Sequence, residues 1–258
     1  MRFGRLSLVL AVLAVLLLPA GCGSKTQTDD GYKAAIIDQL AFRDPDPAFI
    51  TQATGLLKSV GFEVDVWQGT QITVDFYRKL PSMGYRFILM RVHSGSLVQI
   101  KNGEAVEMPD TYLFTAENYT TTKYVTDQLT NKVSYAIMEA NTPNVFAVNS
   151  DFIRSANGTF HNTVILAMGC ESSEHTDLER AFVAKGASVY IGWSDIVTLD
   201  HVDKTTLDLL KNFCTGGMTV SQGISQTMAT LGHDPYYDSY LKFFPELNGG
   251  KTVKDLTR

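Results

Sequence analysis

From Lys33 onward, the chain alternates between short apolar runs and segments with helical spacing. "KAAIIDQL" is a strand candidate, and the prolines and aspartates of "AFRDPDP" mark the loop that follows. From Pro47, the apolar residues Phe49, Ile50, Ala53, Leu56, Leu57 and Val60 recur at helical spacing, predicting a helix closed at Gly61. "FEVDVWQG" alternates like a strand, "TVDFYRKLPSMG" is a short helix interrupted at Pro81, and "YRFILMRVHSG" is the next strand. Strands alternating with helices predict a parallel sheet covered on both faces.

The regularity lapses between residues 95 and 162. "SLVQIKNGEAVEM" reads as a hairpin, because Asn102-Gly103 favours a primed turn. "FAVNSDFIRSANGTF" reads as a second β pair turning near Asn157-Gly158. This stretch is expected to be a β-rich insertion on the carboxyl edge of the sheet. Alternation then resumes with strand "TVILAMG", helix "HTDLERAFVAKG" and strand "ASVYIGW". A helix over residues 200–213, another in "TVSQGISQTMATLG" and a final strand in "YLKFFPELNGGKTVKDL" follow. The expected class is α/β, a three-layer sandwich around a mainly parallel sheet.

Ahead of that domain, "MRFGRLSLVLAVLAVLLLPAGCGS" carries Arg2 and Arg5, then an apolar run from Leu6 to Leu18. The run is short for a bilayer span and reads as a signal-peptide core. "LLLPAGC" resembles the bacterial lipoprotein box, with Pro19 where that pattern usually has Leu. The resemblance implies removal of residues 1–21, lipidation of Cys22, a polar tether over residues 22–32 and a domain over 33–258. An ordinary secretory signal is the alternative. Either way the expected location is extracytoplasmic, and the lipoprotein reading makes the membrane a partner, with the protein facing the periplasm or the cell exterior. Loss of Arg2 and Arg5 takes the formal charge from −5 to −7. Such a balance argues against nucleic-acid binding, which needs a basic face.

Two strands end in reactive residues: "FILMRV" runs into His93-Ser94-Gly95, and "VILAM" into Gly169-Cys170-Glu171. Reactive groups in open parallel sheets gather outside the carboxyl ends of strands, so an imidazole and a thiol at two such ends can meet. The imidazole can serve as base to the thiol, and neighbouring backbone amides can hold an oxyanion. Gly95 and Gly169 would let a substrate backbone come close. The helix after Cys170 is expected to favour a thiolate through its dipole, while Glu171 and Glu174 oppose one. A disulfide from Cys170 to Cys214 is disfavoured, because the helix holding Cys214 should run back to the opposite edge, about 15 Å away or more. His161, His175, His201 and His233 match no zinc spacing, so no metal site is expected.

The layout over roughly Lys33 to Leu231 resembles the caspase-like cysteine peptidases, which include caspases, gingipains, clostripain, legumain, separase and the bacterial CHAT domains. "DPAFITQATGLLKSVGFEV" is similar to the family's first helix and second strand, "RVHSG" to its His-Gly block and "VILAMGCES" to its Ala-Cys block. "LERAFVAKGASVYIGWSDIVTLD" is similar to the CHAT and gingipain stretch that follows the nucleophile. The likeness implies a caspase-like sheet, His93 as general acid/base, Cys170 as nucleophile, and oxyanion amides among Ser94, Gly95 and Gly169. Ser94 intervenes where the family usually places Gly after the His, and Gly169 stands where it often has Ala. The likeness also implies a substrate pocket at Trp193, Ser194 and Asp195. Asp44 and Asp46, in the first strand-to-helix loop, open on the same edge, and carboxylates there would suit a Lys or Arg side chain by charge pairing. The expected activity is a cysteine endopeptidase acting on peptide or protein substrates, with no cofactor, although some relatives use calcium. The alternatives are a non-catalytic surface binding or scaffold protein of the same fold and a thiol-dependent transferase or amidase.

Overall fold

The computed structural model describes residues 32–258 apart from Ala140. The apolar leader and Cys22 lie outside the described residues. In chain order, β1 (Lys33–Asp38) leads through a 3-10 turn, Gln39–Phe42, into α1 (Pro47–Ser59). Next come β2 (Glu63–Gln68), α2 (Val74–Lys79) and β3 (Phe87–Arg91). The following stretch builds β4 (Ser94–Lys101), β5 (Glu104–Asn118), α3 (Val125–Leu129), β6 (Val133–Ala136), β7 (Val145–Val148) and α4 (Ser150–Ser155). Then come β8 (Thr163–Ala167), α5 (Asp177–Ala184), β9 (Ala187–Trp193), α6 (Leu199–Cys214), α7 (Val220–Leu231), β10 (Leu241–Phe244) and α8 (Val253–Leu256).

The main sheet has the order β10-β9-β8-β3-β1-β2, and only β10 is antiparallel to its neighbour. Every residue of β3 and β8 is buried, as the unbroken apolar runs require of strands covered on both faces. Alternate side chains serve two cores. Ile37, Ile88, Met90 and Ile165 pack with Phe76 of α2, Phe152 of α4, and Leu178 and Phe182 of α5. Ile36, Leu89, Leu166 and Ile191 pack with Phe49 and Leu57 of α1, Leu209 and Phe213 of α6, and Ile224 of α7. The expected three-layer α/β architecture is therefore present. Asp46 fixes the start of α1 by accepting the Phe49 N–H at 2.9 Å, with Pro47 as the first helical residue.

The insertion is a second, antiparallel sheet of order β4-β5-β7-β6. Asn102 and Gly103, both at positive φ, make the expected hairpin turn between β4 and β5. The second β pair is absent from its expected place. After β7 the Asn149 side chain accepts the Phe152 N–H at 3.1 Å and starts α4, so "SDFIRS" is a helix. Nor is the insertion only an edge decoration, since Leu113, Phe146, Val148 and Phe152 belong to the same core as α2 and α5.

At the opposite, amino edge, the last segment of the chain closes the sheet. Tyr32 and Thr257 share a hydroxyl hydrogen bond of 2.5 Å, Ser188 donates to the Leu256 carbonyl at 2.9 Å, and Asn162 donates to the Arg258 carbonyl. No helix among the described residues is long and apolar enough to cross a membrane.

Candidate active site

The connections leaving β1 and β3 diverge, because β2 lies on the far side of β1 while the chain after β3 proceeds to the other half of the sheet. Such a divergence opens a crevice at the carboxyl ends of the two strands. His93 stands there, two residues past β3. Its backbone is held from both sides: the N–H donates to Gln39 Oε1 at 3.0 Å, and the carbonyl accepts the Phe114 N–H at 2.9 Å. Gln39 is itself buried and donates to the Thr115 carbonyl at 3.1 Å, which ties the first sheet to the second. The imidazole is half-buried, with its ring 6.1 Å from that of Phe114, and makes no hydrogen bond among the described residues. Burial holds its pKa below the ordinary value, Asp44 pulls the other way, and Arg43 and Arg91 add to the lowering.

Cys170 leaves the neighbouring strand. Met90 is paired with Ala167 in the parallel ladder, and the Met168 N–H donates to the Met90 carbonyl at 2.9 Å. Both chains then leave the sheet, β3 after Arg91 and β8 after Ala167, so His93 and Cys170 lie just beyond the carboxyl ends of adjacent strands. The Ser94 hydroxyl donates to the Cys170 carbonyl at 2.5 Å. Gly169 fits between, since a Cβ there would stand 2.1 Å from Ser94 Oγ and 2.7 Å from the Val92 carbonyl oxygen. The thiol is half-buried, donates weakly to the Val197 carbonyl at 3.5 Å, and has no hydrogen bond to His93 among the described residues. Burial pushes its pKa up, and the charges of Glu171 and Asp234 push the same way. The expected help from a helix dipole is missing, because α5 begins only at Asp177, beyond a series of turns.

The residues expected to form a substrate pocket fall into different places. Trp193 is 0% exposed and packs in the core under α6, so it offers no wall to a substrate. It ends a strand whose register turns it inward against Val197 and Val202. Ser194 is exchanged with Tyr240 in two hydrogen bonds, of 2.9 and 3.0 Å. Asp195 is exposed, and its carbonyl accepts the Glu171 N–H at 3.0 Å, beside the Cys170 turn. Asp44 and Asp46 line a separate open cleft of about 580 Å³ with Phe49, Arg91, Asp203 and Leu207. Asp44 is the member whose charge reaches His93, while Asp46 is occupied as a helix cap. Of the expected oxyanion residues, Ser94 and Gly169 are buried and Gly95 is half-exposed.

Two features of this edge escape a reading of the sequence. Arg91, 1% exposed, holds Asp203 through two hydrogen bonds of 2.9 Å, Asp38 at 2.9 Å and the Asp44 carbonyl at 3.0 Å. It thereby pins the Asp44 loop and the start of α6 to the strand end that carries His93. Burial raises the Asp203 carboxyl against the opposing pull of Arg91. The second feature is a carboxylate group beside Cys170: oxygens of Glu171, Glu174 and Asp195 lie within 4.8 Å of one another, and Glu107, Glu174 and His175 are grouped as closely. The carboxylates offer hard-cation donors, and in solvent they can equally present negative charge to a basic ligand. Glu171 is held in place by the Ser96 N–H, which donates to its Oε2 at 2.5 Å. Cys170 and Cys214 are both free thiols.

No protein-family model matches the chain, and no curated protein matches it significantly.

Proposed function

We propose that the protein is a caspase-like cysteine endopeptidase that hydrolyses peptide bonds through His93 and Cys170. The observation that supports this reading is the placement of the two residues just beyond the carboxyl ends of adjacent parallel strands, with their turns joined by the Ser94 hydrogen bond. In the proposed course, His93 takes the thiol proton and the sulfur attacks the substrate carbonyl. Breakdown of the tetrahedral intermediate then expels the amine, which takes the proton back from His93. A water deprotonated by His93 hydrolyses the thioester, releases the acid product and restores the thiol. A backbone amide of the His93 or Cys170 turn holds the oxyanion. Glu171, Glu174 and Asp195 favour a Lys or Arg side chain before the cleaved bond. The lipoprotein reading of Cys22 places this activity outside the cytoplasm.

For the reaction the thiol turns from the Val197 carbonyl towards His93. Its resting direction and raised pKa favour a second reading, a non-catalytic binding module. One experiment separates them: fluorogenic peptides with Lys, Arg, Asp or Leu before the reporter, with native protein, Cys170→Ala and His93→Ala, beside site-resolved alkylation of Cys170 and Cys214. Hydrolysis abolished by both substitutions and faster labelling at Cys170 supports the peptidase. Hydrolysis unaffected by Cys170→Ala, or labelling at Cys170 no faster than at Cys214, overturns it.

A further inference from the structure

The amino edge of the main sheet, far from His93 and Cys170, is cationic. Arg86 precedes β3, Lys58 and Lys211 lie in the last turns of α1 and α6, and Lys251, Lys254 and Arg258 flank or belong to α8. None of these six enters an ion pair among the described residues. At the opposite edge Arg43 is paired with Glu139, Arg91 with Asp38 and Asp203, and Lys204 with Asp200, while Lys242 donates to the Ser173 carbonyl at 2.7 Å. Exposed acids at the amino edge are Glu63, Glu246 and Asp255, whereas Asp44, Glu171, Glu174, Asp195 and Asp200 lie at the carboxyl edge. The amino edge thus gathers six cations without ion pairs among the described residues.

The same side holds an apolar groove of about 580 Å³ lined by Tyr32, Phe62, Phe213, Cys214 and Val253, with Lys254 and Arg258 at its rim and Val60 40% exposed beside it. Tyr32 is also the residue through which the chain enters from residues 1–31, a stretch that carries the apolar run from Leu6 to Leu18. Any attachment of that stretch to a bilayer tethers the protein from this edge. Clustered cations near an anionic leaflet each add about 1 kcal/mol of attraction, roughly fivefold in partitioning.

We propose that the amino edge docks on an anionic lipid surface, with lipid phosphates facing Lys58, Lys211, Lys251, Lys254 and Arg258, and that the edge bearing His93 and Cys170 faces away from it. Strand length sets the two edges about 20 Å apart. The inference does not depend on the peptidase reading.

The two free thiols report the two edges. The full chain is bound to vesicles of phosphatidylcholine alone or with about one-third phosphatidylglycerol, and labelling of Cys214 and Cys170 by a hydrophilic maleimide is measured for each site by mass spectrometry. The amino-terminal attachment is common to both vesicles and cancels. The expected result is labelling of Cys214 slowed at least about fivefold on the anionic vesicles, unchanged labelling of Cys170, and loss of the protection in high salt. Lys211→Glu/Lys254→Glu removes the protection, and Lys101→Glu/Lys132→Glu, with the same change in net charge on the second sheet, keeps it. Equal protection on both vesicles, protection that persists in high salt, or equal loss in the two variants overturns the proposal. The salt arm needs no substitution, so a variant that fails to fold does not decide the outcome.

Discussion

The hydroxyl of Ser94 donates to the carbonyl of Cys170 at 2.5 Å, across the boundary between two strands whose residues are far apart in the chain. This contact and the missing side chain of Gly169 together set how closely the two turns approach.

Gly169→Ala is expected to be severe, because its Cβ would meet both Ser94 Oγ and the Val92 carbonyl. A loss of about 1–3 kcal/mol in stability follows from overpacking of this kind. Ser94→Ala alone removes one hydrogen bond and costs about 1 kcal/mol. The double substitution relieves only the clash with Oγ, so its urea midpoint should lie above that of Gly169→Ala and below that of Ser94→Ala.

Burial and the neighbouring acids keep the Cys170 thiol protonated, and burial keeps His93 neutral. The resting pair is therefore thiol and imidazole. Alkylation of Cys170 should still be rising with pH at the ordinary thiol value of 9.0, whereas a preformed thiolate would level off at about neutral pH. Glu171→Gln keeps an acceptor for the Ser96 N–H but removes a negative charge, so it should raise the alkylation rate several-fold below that value.

The lowered pKa of His93 also bears on stability. The unfolded chain binds a proton near pH 6.5 that the folded chain resists, so stability is lost as pH falls through 6.5 towards the folded value. His93→Gln has no proton to gain and should show a smaller fall in urea midpoint between about pH 7.5 and about pH 5.5.

Arg91→Met leaves Asp38 and Asp203 buried without their counter-charge. A loss of about 3–5 kcal/mol is expected. Asp203, whose carboxyl burial already raises, then loses the opposing pull of Arg91 and holds a proton more tightly in the folded than in the unfolded state, so the deficit against the native protein should shrink as pH falls. Arg91→Lys should fall between the two, since one ammonium cannot reproduce the paired contacts to Asp203. Chemical denaturation across pH measures all three.

Features of the chain with local causes were readable in advance. "FILM" and "VILA" are apolar throughout because both faces are covered, and Asn102-Gly103 dictates its own turn. The helix at Ser150–Ser155 reads as a strand because its apolar residues are few, although Asn149 at its start is a cap residue that points to a helix. Trp193 continues the alternation of its strand into the core, which the pocket implied by the resemblance does not anticipate. The Arg91 network joins residues 38, 91 and 203, and its only trace in sequence is a charge in an otherwise apolar strand. The likeness to a peptidase family could pair His93 with Cys170, but the direction of the thiol depends on Val197, whose carbonyl comes near only after folding.

The second sheet is spliced into the chain between the two reactive positions, and β4 begins at Ser94 with no spacer after His93. Its outer tip, the turn at Asn102 and Gly103, is therefore joined to His93 by β4 alone. Ser94 and Ser96 of that strand hold the Cys170 carbonyl and the Glu171 carboxylate, so a single strand is the common wall of both turns.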